Sequence, residues 1–125
     1  MASKVTTKSR GDEAEDRALI YLQDQGLVLV ERNYRVAKGP SARGAEVDLI
    51  MRDRDNTLVF VEVRSRQSSD HGGAAASVSR TKQARCIRGA QHYLMTIQPW
   101  PPCRFDVVAL DGDVITWIPA AFDAS

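Results

Sequence analysis

Two carboxylates interrupt strand-like, apolar stretches: Asp48 in AEVDLIMR and Glu62 in TLVFVEVRS. Side chains on a strand alternate between its two faces. That alternation puts Val47 and Leu49 on one face of the first stretch, with Glu46, Asp48 and Ile50 on the other. In the second stretch Val59, Val61 and Val63 share a face, opposite Phe60, Glu62 and Arg64. The turn DRDN centres a hairpin near Asp55, and pairing the apolar faces then sets Asp48 opposite Glu62 and Glu46 opposite Arg64. Opposed residues of an antiparallel pair have Cβ atoms about 4.5–5.5 Å apart. Two carboxylates at that spacing repel unless one takes a proton or a cation lies between them. Hard oxygen donors suit Mg²⁺ or Mn²⁺. The alternative is a solvated sheet face on which the acids are balanced by neighbouring basic groups. The run VFVEV weighs against it, because a carboxylate in a strongly apolar strand is costly without a specific partner.

The basic residues are unevenly placed. Arg64, Arg66, Arg80, Lys82, Arg85 and Arg88 face a single acid, Asp70, over the same stretch. A run of this kind beside a carboxylate site suits non-specific contact with phosphates. Arg66 and Lys82 are the stronger phosphate candidates, with Arg80 in the same run, whereas Arg85 and Arg88 fit the solvated face of a helix. His71 sits in a Gly-rich loop and reads as a surface histidine; His92 reads as structural. Cys86 and Cys103 show neither zinc-ligand nor disulfide-framework spacing and are read as reduced thiols. Trp100 and Trp117 offer base-stacking surfaces, but packing is their more ordinary role. There is no P-loop, dinucleotide fingerprint or GxSxG motif.

The elements that must position the acids are legible from periodicity. Asp12 to Gln25 reads as a helix, with Ala14, Ala18, Tyr21, Leu22 and Gln25 at three- and four-residue steps. Ser9 or Thr7 is the candidate cap, and Gly26 stands where a left-handed residue ends a helix. Its acids, Asp12 to Asp16, are placed in the first turns, where the helix dipole favours negative charge. Strands follow at Leu27–Tyr34, Ala45–Arg52 and Thr57–Ser65. A second helix runs from a Ser79 cap to Ile97, with Ile87, Ala90, Leu94 and Ile97 as its apolar stripe. Two more strands, CRFDVVAL and VITWI, flank an Asp111-Gly112 turn. The order is α-β-β-β-α-β-β, and the third strand, second helix and fourth strand form a parallel βαβ unit.

The chain has 125 residues, 43% hydrophobic and 26% charged, with net charge +1. That composition suits one domain with a single core, taken as residues 10–125 behind a flexible tail of residues 1–9. MASKVTTKSR contains no apolar segment of the signal-peptide kind, and no run approaches the roughly 18 apolar residues of a membrane span. A cytoplasmic protein with no membrane partner is the expectation.

Asp48 followed by Glu62-Val63-Arg64 on the next strand resembles the PD-(D/E)xK nuclease pattern. The wider sequence resembles the uncharacterised YraN-like bacterial family, which is similar in fold to archaeal Holliday-junction resolvases. The residues that carry this are Gly11, Ala14-Glu15, Arg32-Asn33-Tyr34-Arg35, Glu46 to Ile50, Val59 to Val63, Lys82-Gln83 and Arg104 to Val108. The resemblance implies an α/β, restriction-endonuclease-like mixed sheet flanked by helices, and nucleic-acid binding. It also implies that Glu15 joins Asp48 and Glu62 as catalytic acid and metal ligand, and that Gln83 lies with Lys82 at the nucleic acid. Two positions depart from the pattern. Ala45 stands where a glycine is usual, and Arg64 stands where the motif has lysine. An arginine can hold phosphate bidentately and stabilise developing negative charge, but it stays protonated and cannot act as a base.

Three functions are compatible with these residues. One is a Mg²⁺- or Mn²⁺-dependent endonuclease on structured or branched DNA, for which a two-fold homodimer would supply the second cut. The second is a nucleic-acid-binding module with a degenerate site. The third is a protein-interaction domain.

Overall fold

The computed structural model describes residues 7–36, 44–66 and 79–124, the side chains of residues 7–11 and 66 excepted. Helix α1 (Thr7–Asp24) is followed by β1 (Val28–Val36), β2 (Ala45–Arg52) and β3 (Leu58–Arg66). Helix α2 (Arg80–Leu94) then precedes β4 (Cys103–Asp111) and β5 (Val114–Phe122). The strands form one sheet in the order β1-β2-β3-β4-β5. Only β3 and β4 pair in parallel, and they are the two strands that α2 connects. A two-residue turn cannot join parallel neighbours, so a crossover element is required at that point.

Each face of the sheet carries one helix. Ala14, Ala18 and Leu22 of α1 pack on Leu49, Met51, Val59, Val61 and Val63, with Val108 and Leu110 beyond. Cys86 and Ala90 of α2 pack on Val47, Ile50, Leu58, Phe60 and Phe105. A mixed sheet of this order between two helices is the α/β, restriction-endonuclease-like architecture expected. Burying each of these Leu, Ile, Val or Phe side chains stabilises the fold by roughly 1.5–3 kcal/mol. Close approach of α2 to β2 depends on Gly89. A Cβ there would lie 2.9 Å from Val47 Cγ2 and 3.2 Å from the Glu46 nitrogen.

Three expectations need correction. First, α1 starts at Thr7, so residues 7–9 of the expected tail are helical and Ser9 lies inside the helix. The one breaker in that stretch is Gly11, and a single helical glycine costs only about 1 kcal/mol. Asp12 to Asp16 therefore lie beyond the first turn. Second, β5 continues past Ile118 to Phe122. Its extension is fastened by a hydrogen bond from Ala120 N–H to Asp106 and by stacking of Phe122 on Phe105, with ring centroids 5.1 Å apart. Third, strict alternation fails in β2. Val47 and Ile50 lie under α2, whereas Leu49 lies under α1. The break falls at Asp48, opposite Asn33 of β1, which has φ +56 and lies between the paired positions Arg32↔Leu49 and Tyr34↔Val47. Asparagine is among the few non-glycine residues that enter the left-handed region readily.

Candidate functional site

The β2–β3 ladder pairs Leu49 with Val61, Ile50 with Phe60, Met51 with Val59 and Arg52 with Leu58. That is the register set by a turn centred on Asp55. The pairing stops one position short of Asp48 and Glu62. There the Asp48 carboxylate takes over: Oδ2 accepts the Val63 N–H over 2.8 Å. The strand ladder therefore ends at the acids, and the Asp48 carboxylate occupies the first position beyond it. Asp48 and Glu62 are each only 9% exposed and lie within hydrogen-bonding reach of each other. Glu46 is not matched with Arg64. Its carboxylate accepts from Arg35 at 3.3 Å and from Arg85 at 2.9 Å.

Burial is the largest influence on both acids. It raises Asp48 above the usual carboxylate range, against the Val63 hydrogen bond, which favours the ionised form. Burial and then the Asp48 charge push Glu62 up to about 8, against the opposing charges of Lys82 and Arg64. The hydrogen bond between the carboxyls favours ionised Asp48 and protonated Glu62. At neutral pH the pair accordingly holds one proton, on Glu62. This is what two close carboxylates do when no cation separates them.

Glu15 reaches this site from α1, but only electrostatically. Its pKa is raised by burial and then by the Asp48 charge. Its direct partners are Arg32, at 3.3 Å, and the Asn33 side chain. Arg32 also binds Asp16 and the Asp12 carbonyl, and so ties α1 to β1. Among the described residues no group of three or more His, Cys, Asp or Glu side chains is close enough to hold a metal. The expected ligand trio of Asp48, Glu62 and Glu15 is not assembled. The physical reason is that the Arg32 guanidinium offers Glu15 an opposite charge, whereas Asp48 offers a like one.

The cations sort into two groups. Lys82 acts on both Asp48 and Glu62, and Arg64 acts on Glu62. Arg80 is exposed at the first position of α2, and Gln83 is half-buried one residue after Lys82. Arg85 and Arg88, expected on a solvated face, instead fasten α2 to the start of β2. Arg85 does so through Glu46, and Arg88 through the Gly44 carbonyl at 2.7 Å. Arg66 ends β3, where its backbone position pairs with Asp111, but its side chain lies outside the described part. His71 lies outside the described residues. His92 is structural: its Nδ1 hydrogen-bonds the Tyr34 hydroxyl over 2.6 Å. Trp117 donates to buried Asp106 at 2.9 Å, whereas Trp100, expected to pack, is 63% exposed.

Sequence reasoning named Arg32, Asn33 and Asp106 only as carriers of the family resemblance and gave them no role, and it did not find the Val63 N–H. A signal existed only for Asn33, through the left-handed preference of asparagine. The donor set of Asp48 and Glu62 fits a hard divalent ion. Two buried carboxylates disfavour joint ionisation without one, and Mg²⁺ commonly takes one or two carboxylates and completes its shell with water and phosphate oxygens. Such an ion would supply a Lewis acid at this position.

Fold and site together define an α/β protein of restriction-endonuclease-like architecture, with an acid pair at a strand opening in mid-sheet. The chain belongs to uncharacterised protein family UPF0102, the YraN-like family, which matches residues 14–110 and so spans every candidate site residue. A UPF0102 protein of Methylibium petroleiphilum is 65% identical over 121 residues, covering 97% of this chain and 99% of the relative. One from Paracidovorax citrulli is 54% identical over 123 residues, covering 98% and 89%. One from Cupriavidus metallidurans is 58% identical over 118 residues, covering 94% and 84%. No helix among the described residues is long and apolar enough to cross a membrane.

Proposed function

We propose that this protein is a metal-dependent endonuclease acting on structured or branched DNA. The observation that carries the reading is the buried Asp48–Glu62 pair at the end of the β2–β3 ladder, with Lys82 and Arg64 acting on it. Asp48 and Glu62 would hold Mg²⁺ or Mn²⁺, which would polarise the scissile phosphate and stabilise the charge of an in-line attack by water. Lys82 and Arg64 would attract the phosphate, and Arg80, Gln83 and Arg66 would extend the contact along the backbone without reading sequence. Glu15 is held back by Arg32 and would act on Asp48 by charge alone. Cutting two strands of a branched substrate would take two sites, supplied by two copies related by a two-fold axis.

A second reading, a DNA-binding module without cleavage, is favoured by Arg64, which cannot serve as a base. One experiment separates the two. The natural protein and Asp48→Asn are incubated with linear, forked and four-way DNA and with RNA, with and without Mg²⁺ or Mn²⁺. Metal-dependent cleavage that is lost in Asp48→Asn supports the nuclease. If nothing is cut and Asp48→Asn binds DNA as tightly or more tightly, the binding module replaces it. In either case affinity should fall with salt, with a log–log slope of about 0.9 per phosphate contacted.

A further inference from the structure

Helix α2 presents one face to the site. Lys82, Cys86, Gly89 and Ala90 follow at three- and four-residue steps and therefore share that face. Cys86, Gly89 and Ala90 are buried against β2 and β3. The position of this face relative to the acids is marked by Cys86, which lies in one buried cluster with Val47, the residue before Asp48, and Phe60, two residues before Glu62. One turn nearer the start of the helix, Lys82 is half-buried rather than solvated. Its backbone is fixed: Ser79 Oγ accepts the Lys82 N–H at 3.3 Å, and the Ser79 carbonyl accepts from Gln83 at 2.9 Å. The Lys82 side chain thus leaves an anchored helical turn on the face that meets the acid pair. Arg64 is two residues from Glu62 on the same strand and bears on Glu62, whereas Lys82, from the helix, bears on both Glu62 and Asp48.

We propose that Lys82 supplies the ammonium of this site, the compact cation set between the acid pair and the reacting phosphate, in the place that β3 itself fills only with the guanidinium of Arg64. This rests on the nuclease reading and goes beyond it, because it moves the essential cation from the strand to the helix. An ammonium is a compact point charge with three donors. A guanidinium is a planar fork suited to grip phosphate rather than to stand close to a metal and a water. Arg64 then grips phosphate while Lys82 works at the reacting centre.

The test uses the full chain with Lys82→Met, Arg64→Met and the double change Arg64→Lys/Lys82→Met. Methionine keeps the unbranched length of lysine, and the Ser79 cap needs only the backbone at position 82. The first measurement is Mn²⁺ affinity by calorimetry without DNA. Removing a positive charge beside the ligands should tighten Mn²⁺ about tenfold in Lys82→Met and by less in Arg64→Met. The second is cleavage of whichever DNA the natural protein cuts. Lys82→Met should lower kcat about 100-fold or more, with KM changed less than about threefold. The double change should recover about a tenth or more of natural kcat, since an ammonium returns to the strand position. A rise in KM with kcat retained would reduce Lys82 to a phosphate contact and overturn the proposal. So would unchanged Mn²⁺ affinity in Lys82→Met, or no Mn²⁺ binding by any of the proteins. If the natural protein binds Mn²⁺ but cuts nothing, the nuclease reading fails on its own. The Mn²⁺ comparison then decides the placement of Lys82 without it.

Discussion

Asp48 Oδ2 accepts the main-chain N–H of Val63 over 2.8 Å, one step beyond the last paired residues of β2 and β3. A side chain has taken the place of a ladder carbonyl, so the strands can part without leaving a buried donor unpaired. The cost of an unpaired buried N–H, about 1–3 kcal/mol, explains why the opening needs an acceptor at this position. Asp48→Ala should lower unfolding free energy by that amount at about pH 6, where a proton on Glu62 already limits repulsion within the pair. Asp48→Asn can still present an oxygen to Val63 and should lose less than half as much. Urea denaturation of the two variants checks this. Equal losses would mean that the hydrogen bond does not hold the opening.

The proton on Glu62 gives stability a definite pH dependence. Glu62 is raised from its ordinary 4.5 to about 8. A carboxyl raised in the folded state binds its proton more tightly there than in the unfolded chain. Its stabilisation is therefore complete below the unfolded value and is lost as pH climbs through about 8. The metal-free urea midpoint should fall between about pH 5 and pH 9, and Glu62→Gln should flatten that fall. At the proposed metal site Mn²⁺ would compete with the same proton, so its affinity should rise with pH and level off above about 8. A flat midpoint together with pH-independent Mn²⁺ affinity would contradict the shared proton.

Asp106 is fully buried, yet its carboxylate is completely engaged. It accepts from Arg104 Nε at 3.1 Å, Trp117 Nε1 at 2.9 Å and Ala120 N–H at 2.9 Å. Arg104 in turn binds Asp53 at 2.8 Å, in the β2–β3 turn. Removing one partner of a buried ion pair typically costs about 3–5 kcal/mol. Asp106→Ala should destabilise by an amount of that order and release the end of β5, seen as faster amide exchange at residues 118–122. Mn²⁺ affinity in the surviving folded fraction should be unchanged. A shift in that affinity would link β5 to the acid pair.

Gly89→Ala tests the seat of α2. The added methyl would meet Val47 Cγ2 at 2.9 Å and the Glu46 backbone at 3.2 and 3.3 Å. Overpacking of this kind costs about 1–3 kcal/mol, although alanine alone would favour the helix by up to about 1 kcal/mol. The expected net result is destabilisation measured by urea, with weaker protection of α2 amides in hydrogen exchange. A stabilised variant would mean that the helix and β2 can separate freely at this point.

The sequence by itself determined the order and type of the elements, the Ser79 cap and the β2–β3 register that carries Asp48 toward Glu62. All of these depend on local signals: a period of two or 3.6, a cap residue, a short turn that fixes which residues meet. Only the tertiary structure decided that Val47 and Leu49 lie on opposite faces, because the break requires the Asn33 conformation on one side and the Val63 N–H on the other. Only it decided that Glu15 answers to Arg32 rather than joining the acids, that Arg85 and Arg88 clamp α2 to β2, and that Asp106 braces β5. These are contacts between groups 14 to 44 positions apart in the chain. Periodicity places a side chain on a face of its own element, but the partner it meets there is set by how helices and sheet pack together.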